Sequence, residues 1–548
     1  MIKKNDQLVI TIEDIGINGE GIGKYEGYTL FVNNTTIGDK ALVKVMKAGK
    51  SYGFARLIEL IHPSRYRVKP RCPIADKCGG CQIMHMDYMK QLEYKEDKVR
   101  SCLIRIGGFK DIPMEPICGM EEPYYYRNKS QYPVGRNKDG KILIGFYAGR
   151  THSIIDTDHC YIGAEVNMPI IEFMRSFIEK NNIEPYNEEK HTGLLRHILI
   201  RVGYRTGNIM VCLVINGQDI PHKKELIKGL LQIEGMKSIC LNINTSKTNV
   251  ILGDRIVGLW GEPYITDYIG SIKYRISPLS FFQVNPVQTE KLYSIAMDYA
   301  DLHGNEVVWD LYCGIGTISL FLAEKAKQVY GVEIIPQAIE DARTNAEING
   351  IKNVEFFVGA AEEILPGKYK EENIKADVIV VDPPRKGCDQ SLLDTILSIE
   401  PEKIVYVSCD PATLARDLKY LCKSKYEIKK VRAVDQFGHS VHVETVVLLS
   451  KGVVDKDNFR KVKVDFSLED MDLTELRGKA TYAQVKEYII NEFGLKVSSL
   501  YIAQVKKKCG IETGENHNLP KSEDARQPQV TPEKEEAIMK AFRHFGVI

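Results

Sequence analysis

A cysteine ends an apolar run in Val405-Tyr406-Val407-Ser408-Cys409-Asp410-Pro411. Such a run reads as a buried strand. It must stop here, because Pro411 has no N–H for a ladder and steers Asp410 away from helical backbone. Cys409 is therefore expected at the carboxyl edge of a sheet, where open α/β folds bind their ligands. A helix is expected over Ala412–Leu421, opened by Pro411 and capped by Asp410. A thiol beside that amino terminus is expected to have a lowered pKa, with more of it as thiolate. A lone cysteine more often simply packs, so its neighbours must decide. Two acids stand at comparable positions. The strand Asp377–Val381 delivers Asp382-Pro383-Pro384-Arg385, a rigid turn that presents one polar group at a strand end. His442-Val443-Glu444-Thr445 opens the apolar strand Val446–Leu449, with Glu444 as a candidate general base.

A ligand site is expected beside them. Val307–Leu311 reads as a buried strand, and Tyr312-Cys313-Gly314-Ile315-Gly316-Thr317 as a tight turn into a helix over 318–326. The next strand, Gln328–Val332, ends at Glu333. Glycines that admit close backbone approach, followed by an acid for ribose hydroxyls, make a nucleotide-binding geometry. No third glycine is present for a pyrophosphate. S-adenosylmethionine, with a ribose and no phosphate, fits that absence better than a dinucleotide.

A second cysteine constellation, Cys72-Pro73-Ile74-Ala75-Asp76-Lys77-Cys78-Gly79-Gly80-Cys81, has metal-site spacing. A fourth thiolate is needed to close a Cys₄ site, zinc or iron–sulfur. Cys102, Cys118 and Cys160 are the candidates, and spacing does not choose among them.

The elements that position these groups follow from pattern and composition. A chain of 548 residues is too long for one core, and three or four domains are expected. Hydrophobic content of 44% and charged content of 27% are those of a soluble globular protein, and a net charge of +1 confines any nucleic-acid contact to local patches. No signal peptide or membrane span is expected. Thirteen scattered cysteines argue against a disulfide framework. Residues 4–60 alternate as short strands at Leu8–Ile12, Thr29–Val32 and Ala41–Lys47, which predicts a five-stranded oligonucleotide-binding barrel. From Lys40 to Arg71 basic residues outnumber Glu59, and Tyr52, Phe54 and Tyr66 lie among them, a pattern suited to stacking and phosphate contact. Residues 93–259 read as a mixed α+β domain. Beyond 453, helices are expected from Thr481 to Phe493, Ser498 to Lys508 and from Pro532; Lys506-Lys507-Lys508 offers phosphate contacts.

Taken together, these residues resemble the RNA (uracil-5-)methyltransferase family, in particular its bacterial branch with an amino-terminal TRAM domain that modifies 23S rRNA. The resemblance runs colinearly over about residues 1–450. It rests on the barrel, Cys72/Cys78/Cys81, Phe281-Phe282-Gln283-Val284-Asn285, the glycine turn, Asp382-Pro383-Pro384-Arg385, Ser408-Cys409 and His442-Val443-Glu444. It implies a multidomain α/β protein: an OB-like TRAM barrel (1–62), a central α+β domain with an iron–sulfur site (63–270), a Rossmann-like methyltransferase domain (271–451) and a helical carboxyl-terminal extension (452–548). It further implies S-adenosylmethionine held by Gln283, Tyr312, Glu333 and Asp382, and a structural 4Fe–4S cluster on Cys72, Cys78, Cys81 and Cys160. Cys409 would be the nucleophile and Glu444 the base. The expected partner is RNA, 23S rRNA first, at an unpaired or flipped-out uridine, with no DNA, no membrane, a monomeric state and a cytoplasmic location. Asp410 stands where the motif leads one to expect Asn. Two other readings compete: a nitrogen methyltransferase built on Asp382-Pro383-Pro384, and a non-catalytic RNA-binding assembly factor.

Overall fold

Alternating burial closes the first strands into a barrel. In the computed structural model, which describes residues 2–149, 151–372, 374–423, 425–452, 482–493, 495, 497–509 and 530–544, Ile10, Ile12, Leu30, Val32, Val43 and Val45 point inward and are almost fully buried. The strands are β1 (Gln7–Ile15), β2 (Gly21–Tyr25), β3 (Tyr28–Asn33), β4 (Lys40–Ala48) and β5 (Tyr52–His62), closed in the order β1-β2-β3-β5-β4. A barrel leaves no edge to pair with another chain.

A helix, α1 (Tyr88–Cys102), follows, continued by a π-helical turn, and then β6 (Met114–Cys118). The next strands, β7 (Lys129–Arg136), β8 (Ile142–Tyr147), β9 (Ile154–Asp156), β10 (Leu195–Val202), β11 (Ile209–Ile215), β12 (Met236–Ile243) and β13 (Arg255–Gly261), make a seven-stranded sheet. Helices α2 (Asn167–Lys180) and α3 (Lys223–Leu230) pack on it through Ile170, Met174, Phe177, Leu226 and Leu230. A hairpin, β14 (Ile265–Ile269) with β15 (Ile272–Ile276), leads into the last sheet.

That sheet joins β16 (Val307–Leu311), β17 (Gln328–Glu333), β18 (Val354–Val358), β19 (Val378–Val381), β20 (Lys403–Ser408), β21 (Tyr426–Val434) and β22 (Glu444–Lys451) to β6, in the order β18-β17-β16-β19-β20-β22-β21-β6. β16 to β20 run parallel, and all four residues of β19 are buried, as expected of strands covered by helices on both faces. The covering helices are α4 (Pro286–Ala300), α5 (Thr317–Ala323), α6 (Pro336–Ile348), α7 (Ala361–Glu371), α8 (Gln390–Ile399) and α9 (Pro411–Leu421). The strand order reverses between β16 and β19, the switch point at which doubly wound sheets open a ligand crevice. β6 comes from far upstream yet completes this sheet.

Residues 455–548 form a separate compact unit. Its helices α10 (Tyr482–Phe493), α11 (Ser499–Lys508) and α12 (Pro532–His544) enclose Val485, Ile489, Ile502, Val505, Ile538 and Phe542. Lys508 pairs with Glu535 at 2.7 Å, so one of the three lysines expected to meet phosphate is engaged within the unit. The capping residues expected at Thr481, Gly494 and Gly510 lie outside the described residues. Among the described residues, no helix is long and apolar enough to cross a membrane.

Candidate active site

Strand register assembles the site. Leu311 pairs with Val381, and Val381 with Tyr406, so three parallel strands end on one edge and release Tyr312, Asp382 and Cys409 there. β22 enters the same edge in the opposite direction. Ser408 pairs with Thr445, which brings Glu444, the first residue of β22, alongside Cys409. A cavity of about 680 Å³ opens at this edge, and its walls include all six expected site residues: Gln283, Tyr312, Glu333, Asp382, Cys409 and Glu444.

The helix beyond Cys409 starts as expected. Asp410 caps α9, accepting hydrogen bonds from the Ala412 and Thr413 N–H groups, and Pro411 occupies the first turn. The expected effect on the thiol is reversed, however. Burial, then the carboxylates of Glu444 and Asp382, push the Cys409 pKa up to about 12, against the pull of Arg385. The Asp410 carboxylate already occupies the free N–H groups of the helix end, so little of the helix field is left for the sulfur. Glu444 is itself pushed up to about 8 by burial and by Asp382, and Asp382 up to about 7 by burial. His442, also on the cavity wall, is driven down to about 4 by burial and by Arg385, leaving a neutral imidazole near neutral pH.

The other half of the cavity suits a nucleoside with a positive charge. Gly314 and Gly316 adopt φ of +55° and +81°, which a side chain tolerates poorly, and a Cβ on Gly316 would also meet the Phe356 ring at 3.0 Å. The Gly314 and Ile335 N–H groups donate to the Glu333 carboxylate at 3.3 and 3.0 Å and fix its orientation at the end of β17. Asp310 accepts from the Ser319 hydroxyl at 2.5 Å through one oxygen, while its other oxygen is buried with no partner. Burial and the neighbouring Asp382 and Glu333 carboxylates raise the Asp310 pKa to about 7. Asp310, Glu333 and Asp382 along this half of the cavity fit a cationic ligand such as S-adenosylmethionine. The sequence reading overlooked Asp310, although it lies in the strand just ahead of the glycine turn, and gave no role to Phe281, Phe437 or His442, which also line the cavity.

The segment before Glu444 is tethered from outside the catalytic sheet. Lys95 of α1 and Asp435 are both fully buried and paired at 2.5 Å, and Lys95 also donates to the Phe437 carbonyl at 2.9 Å. The Tyr88 hydroxyl donates to Asp435 at 2.8 Å and the Tyr126 hydroxyl to the Gly438 carbonyl at 3.0 Å. Lys98 reaches the carbonyls of Ile17 in the barrel and Val441 in this segment, at 3.1 and 2.9 Å.

Of the six other candidate thiols, Cys72, Cys78, Cys81 and Cys160 stand close together. All four have raised pKa values, through burial first; Cys160 adds to the rise at Cys72, Cys78 and Cys81. The Gly80 N–H donates to the Cys78 sulfur at 3.4 Å. Cys102 lies instead on a separate cavity between the barrel and α1, and Cys118 ends β6. Among the described residues, no group of three or more His, Cys, Asp or Glu side chains is arranged to hold a metal ion. An all-sulfur donor set is of the kind that suits thiophilic metals.

On the barrel, Tyr52 and Phe54 are exposed, meet Phe31 edge-on at 5.8 Å and tilted at 5.5 Å, and each other edge-on at 5.9 Å, forming an aromatic surface. Tyr66, expected among the stacking residues, is instead covered by Arg65 and Lys90, and Arg67 is paired with the buried Asp39.

Comparison with known proteins agrees with this architecture. The family model described as TRAM domain matches residues 4–58. A protein named as an uncharacterized RNA methyltransferase from Clostridium tetani is 52% identical over 450 residues, 82% of this chain and 97% of that protein. One of the same description from Halalkalibacterium halodurans is 50% identical over 449 residues, 82% of this chain and 98% of its own length. The crystal structure of Pyrococcus abyssi tRNA (uracil-54, C5)-methyltransferase in complex with S-adenosyl-L-homocysteine superposes with a TM-score of 0.66 at 30% identity, covering 81% of this chain and all of that one. The model described as tRNA (Uracil-5-)-methyltransferase matches residues 87–452, and the chain belongs to that family of S-adenosylmethionine-dependent RNA methyltransferases.

Proposed function

We propose that the chain methylates carbon 5 of an unpaired uridine in 23S rRNA, with Cys409 as nucleophile and Glu444 as base. The observation that carries this reading is the pairing of β20 with β22, which sets a thiol and a buried carboxyl group side by side in one cavity. Carbon 5 of uracil is too weak a nucleophile to take a methyl group directly. Cys409, as the thiolate once its proton has passed to solvent, bonds to carbon 6, and the electron pair displaced from the ring double bond makes carbon 5 nucleophilic. S-adenosylmethionine supplies the electrophilic methyl group, and its positive charge beside Asp382 and Glu444 favours the thiolate. Glu444 then takes the carbon 5 proton. The freed pair re-forms the ring double bond, and the carbon–sulfur bond breaks to return the thiolate. Gln283, Tyr312, Glu333 and Asp382 hold the methyl donor.

A thiol at the bottom of a cavity cannot reach a stacked base, so the uridine is presented flipped out. Residues 1–62 grip RNA, with Phe31, Tyr52 and Phe54 available to stack bases. Residues 63–270 hold a 4Fe–4S cluster on Cys72, Cys78, Cys81 and Cys160, in a structural role, since the reaction moves no electrons. Residues 271–451 perform catalysis as a monomer in the cytoplasm, and 452–548 form an appended helical module.

RNA from cells grown in 5-fluorouracil, incubated with the enzyme and S-adenosylmethionine, tests this directly. Fluorine at carbon 5 cannot be removed as a proton, so the enzyme stalls as a covalent adduct. A linkage to Cys409 on a 23S rRNA fragment is expected. A linkage to a tRNA fragment overturns the target, and methylation without any linkage overturns the nucleophile.

A further inference from the structure

The cysteine loop and the segment carrying the base meet directly. The Ile83 N–H donates to the His439 carbonyl at 3.1 Å. One residue earlier, the Gln82 side chain accepts from the Val441 N–H at 3.3 Å through Oε1 and donates to the Gly79 carbonyl at 2.7 Å through its amide nitrogen. Gln82 therefore spans from the Cys78–Cys81 turn to the residue three before Glu444. Beside the half-buried Gln82, Ile83 is fully buried against Val441 in a cluster shared with Met86 and Tyr94. The barrel closes it from a third side: a Cβ on Gly19 would meet both Ile83 and Val441 at 2.9 Å. The clamped segment is not relaxed by itself, because His439 sits at φ +66° and its peptide N–H is held by Gln91 at 3.0 Å.

We propose that Gln82 is a positioning residue for the second half of the reaction: standing beside the Cys78–Cys81 turn, its Oε1 holds the Val441 N–H and with it the strand start that carries Glu444. This rests on the reading of Cys409 and Glu444 given above. The first half needs sulfur at carbon 6 and the methyl donor, and the residues proposed for both, Cys409, Tyr312, Glu333 and Asp382, stand at the ends of β20, β16, β17 and β19, outside this segment. The second half needs Glu444 within reach of the carbon 5 proton. A displaced Val441 moves the entry of β22 and leaves the methylated ring bonded to sulfur, with its carbon 5 proton in place.

The test compares Gln82→Met, which keeps the bulk and loses the acceptor, with Gln82→Glu, which keeps an acceptor for the Val441 N–H. Full-length enzymes are mixed with unmodified target RNA and radiolabelled S-adenosylmethionine in single turnover, and label is followed both in total RNA and in RNA bound covalently to protein on denaturing gels. Gln82→Met should transfer the methyl group at a rate within about threefold of wild type while its covalently bound, methylated fraction rises at least tenfold. Gln82→Glu should restore release. Equal behaviour of the two variants, or a parallel loss of transfer and release in Gln82→Met, overturns the proposal. The 5-fluorouracil adduct separates this failure from failure of the underlying mechanism: its absence in the wild type rejects the nucleophile, whereas its presence with no trapped adduct in Gln82→Met rejects only the role of Gln82.

Discussion

Two groups of thiols in this molecule are held protonated for different reasons. Cys409 is pushed up by burial and by two carboxylates on neighbouring strands. Cys72, Cys78 and Cys81 are pushed up by burial and by one another or Cys160. The first environment is relieved by a cationic ligand that neutralises the acids. On the proposed reading, the second is relieved when the sulfurs share a bound positive centre. On that reading a reactive thiol and a ligand thiol differ less in their own exposure than in the charges set around them.

The sharpest way to break this contrast is Cys409→Ala, expected to lower methylation by about 10⁴-fold or more and to abolish the 5-fluorouracil adduct. Replacing any one of the other four thiols should leave that adduct's site of linkage unchanged. Next comes Glu444→Gln, expected to slow turnover by about 10²–10⁴-fold while covalently linked, methylated RNA accumulates, because attack proceeds and proton removal does not. Gel analysis of the bound label distinguishes this from a simple loss of activity.

The segment that leads to Glu444 is anchored by the buried Lys95–Asp435 pair. Lys95→Met strands Asp435 without its cation and should cost about 3–5 kcal/mol in urea unfolding of residues 1–454. The smallest effect expected is on thiol chemistry itself. Thiolate is the alkylated form, and with the Cys409 pKa at about 12 its fraction grows about tenfold per pH unit between pH 7 and 10. Asp382→Asn removes one raising charge, so at fixed pH the iodoacetamide labelling of Cys409 should quicken several-fold, as read by peptide mass spectrometry. Labelling of Cys72 and Cys81 should not change. A slower reaction at Cys409 would mean that Asp382 does not face the sulfur.

Much of the site could be read from the chain because its parts sit at strand ends, where local patterns are strong. An apolar run stopped by Pro411, an acid followed by Pro383-Pro384, and a glycine turn each announce an edge. The direction of the Cys409 shift could not be read this way. It depends on Glu444 and Asp382, which approach from other strands through a pairing no local pattern encodes. The Lys95–Asp435 pair was hidden for the same reason, being 340 residues apart with each partner looking like an ordinary surface charge. The strand β6 escaped too: Met114–Cys118 is short, partly exposed and separated by about three hundred residues from the strand it joins. On the barrel, Tyr66 and Arg67 matched the basic–aromatic pattern, yet ion pairing and stacking within the fold occupy them.

The antiparallel entry of β22 also restricts how this gene can change. Side chains on a strand alternate faces, so deleting or inserting a single residue between Asp435 and Val443 either strains the anchored segment or slips β22 by one position. A slip presents Val443 or Thr445 where Glu444 belongs and turns the strand's buried residues outward. Substitutions in that stretch can be graded, but changes of length cannot. Codons added after Lys451 carry no such penalty, and a helical module appended there leaves the pairing of Ser408 with Thr445 as it was.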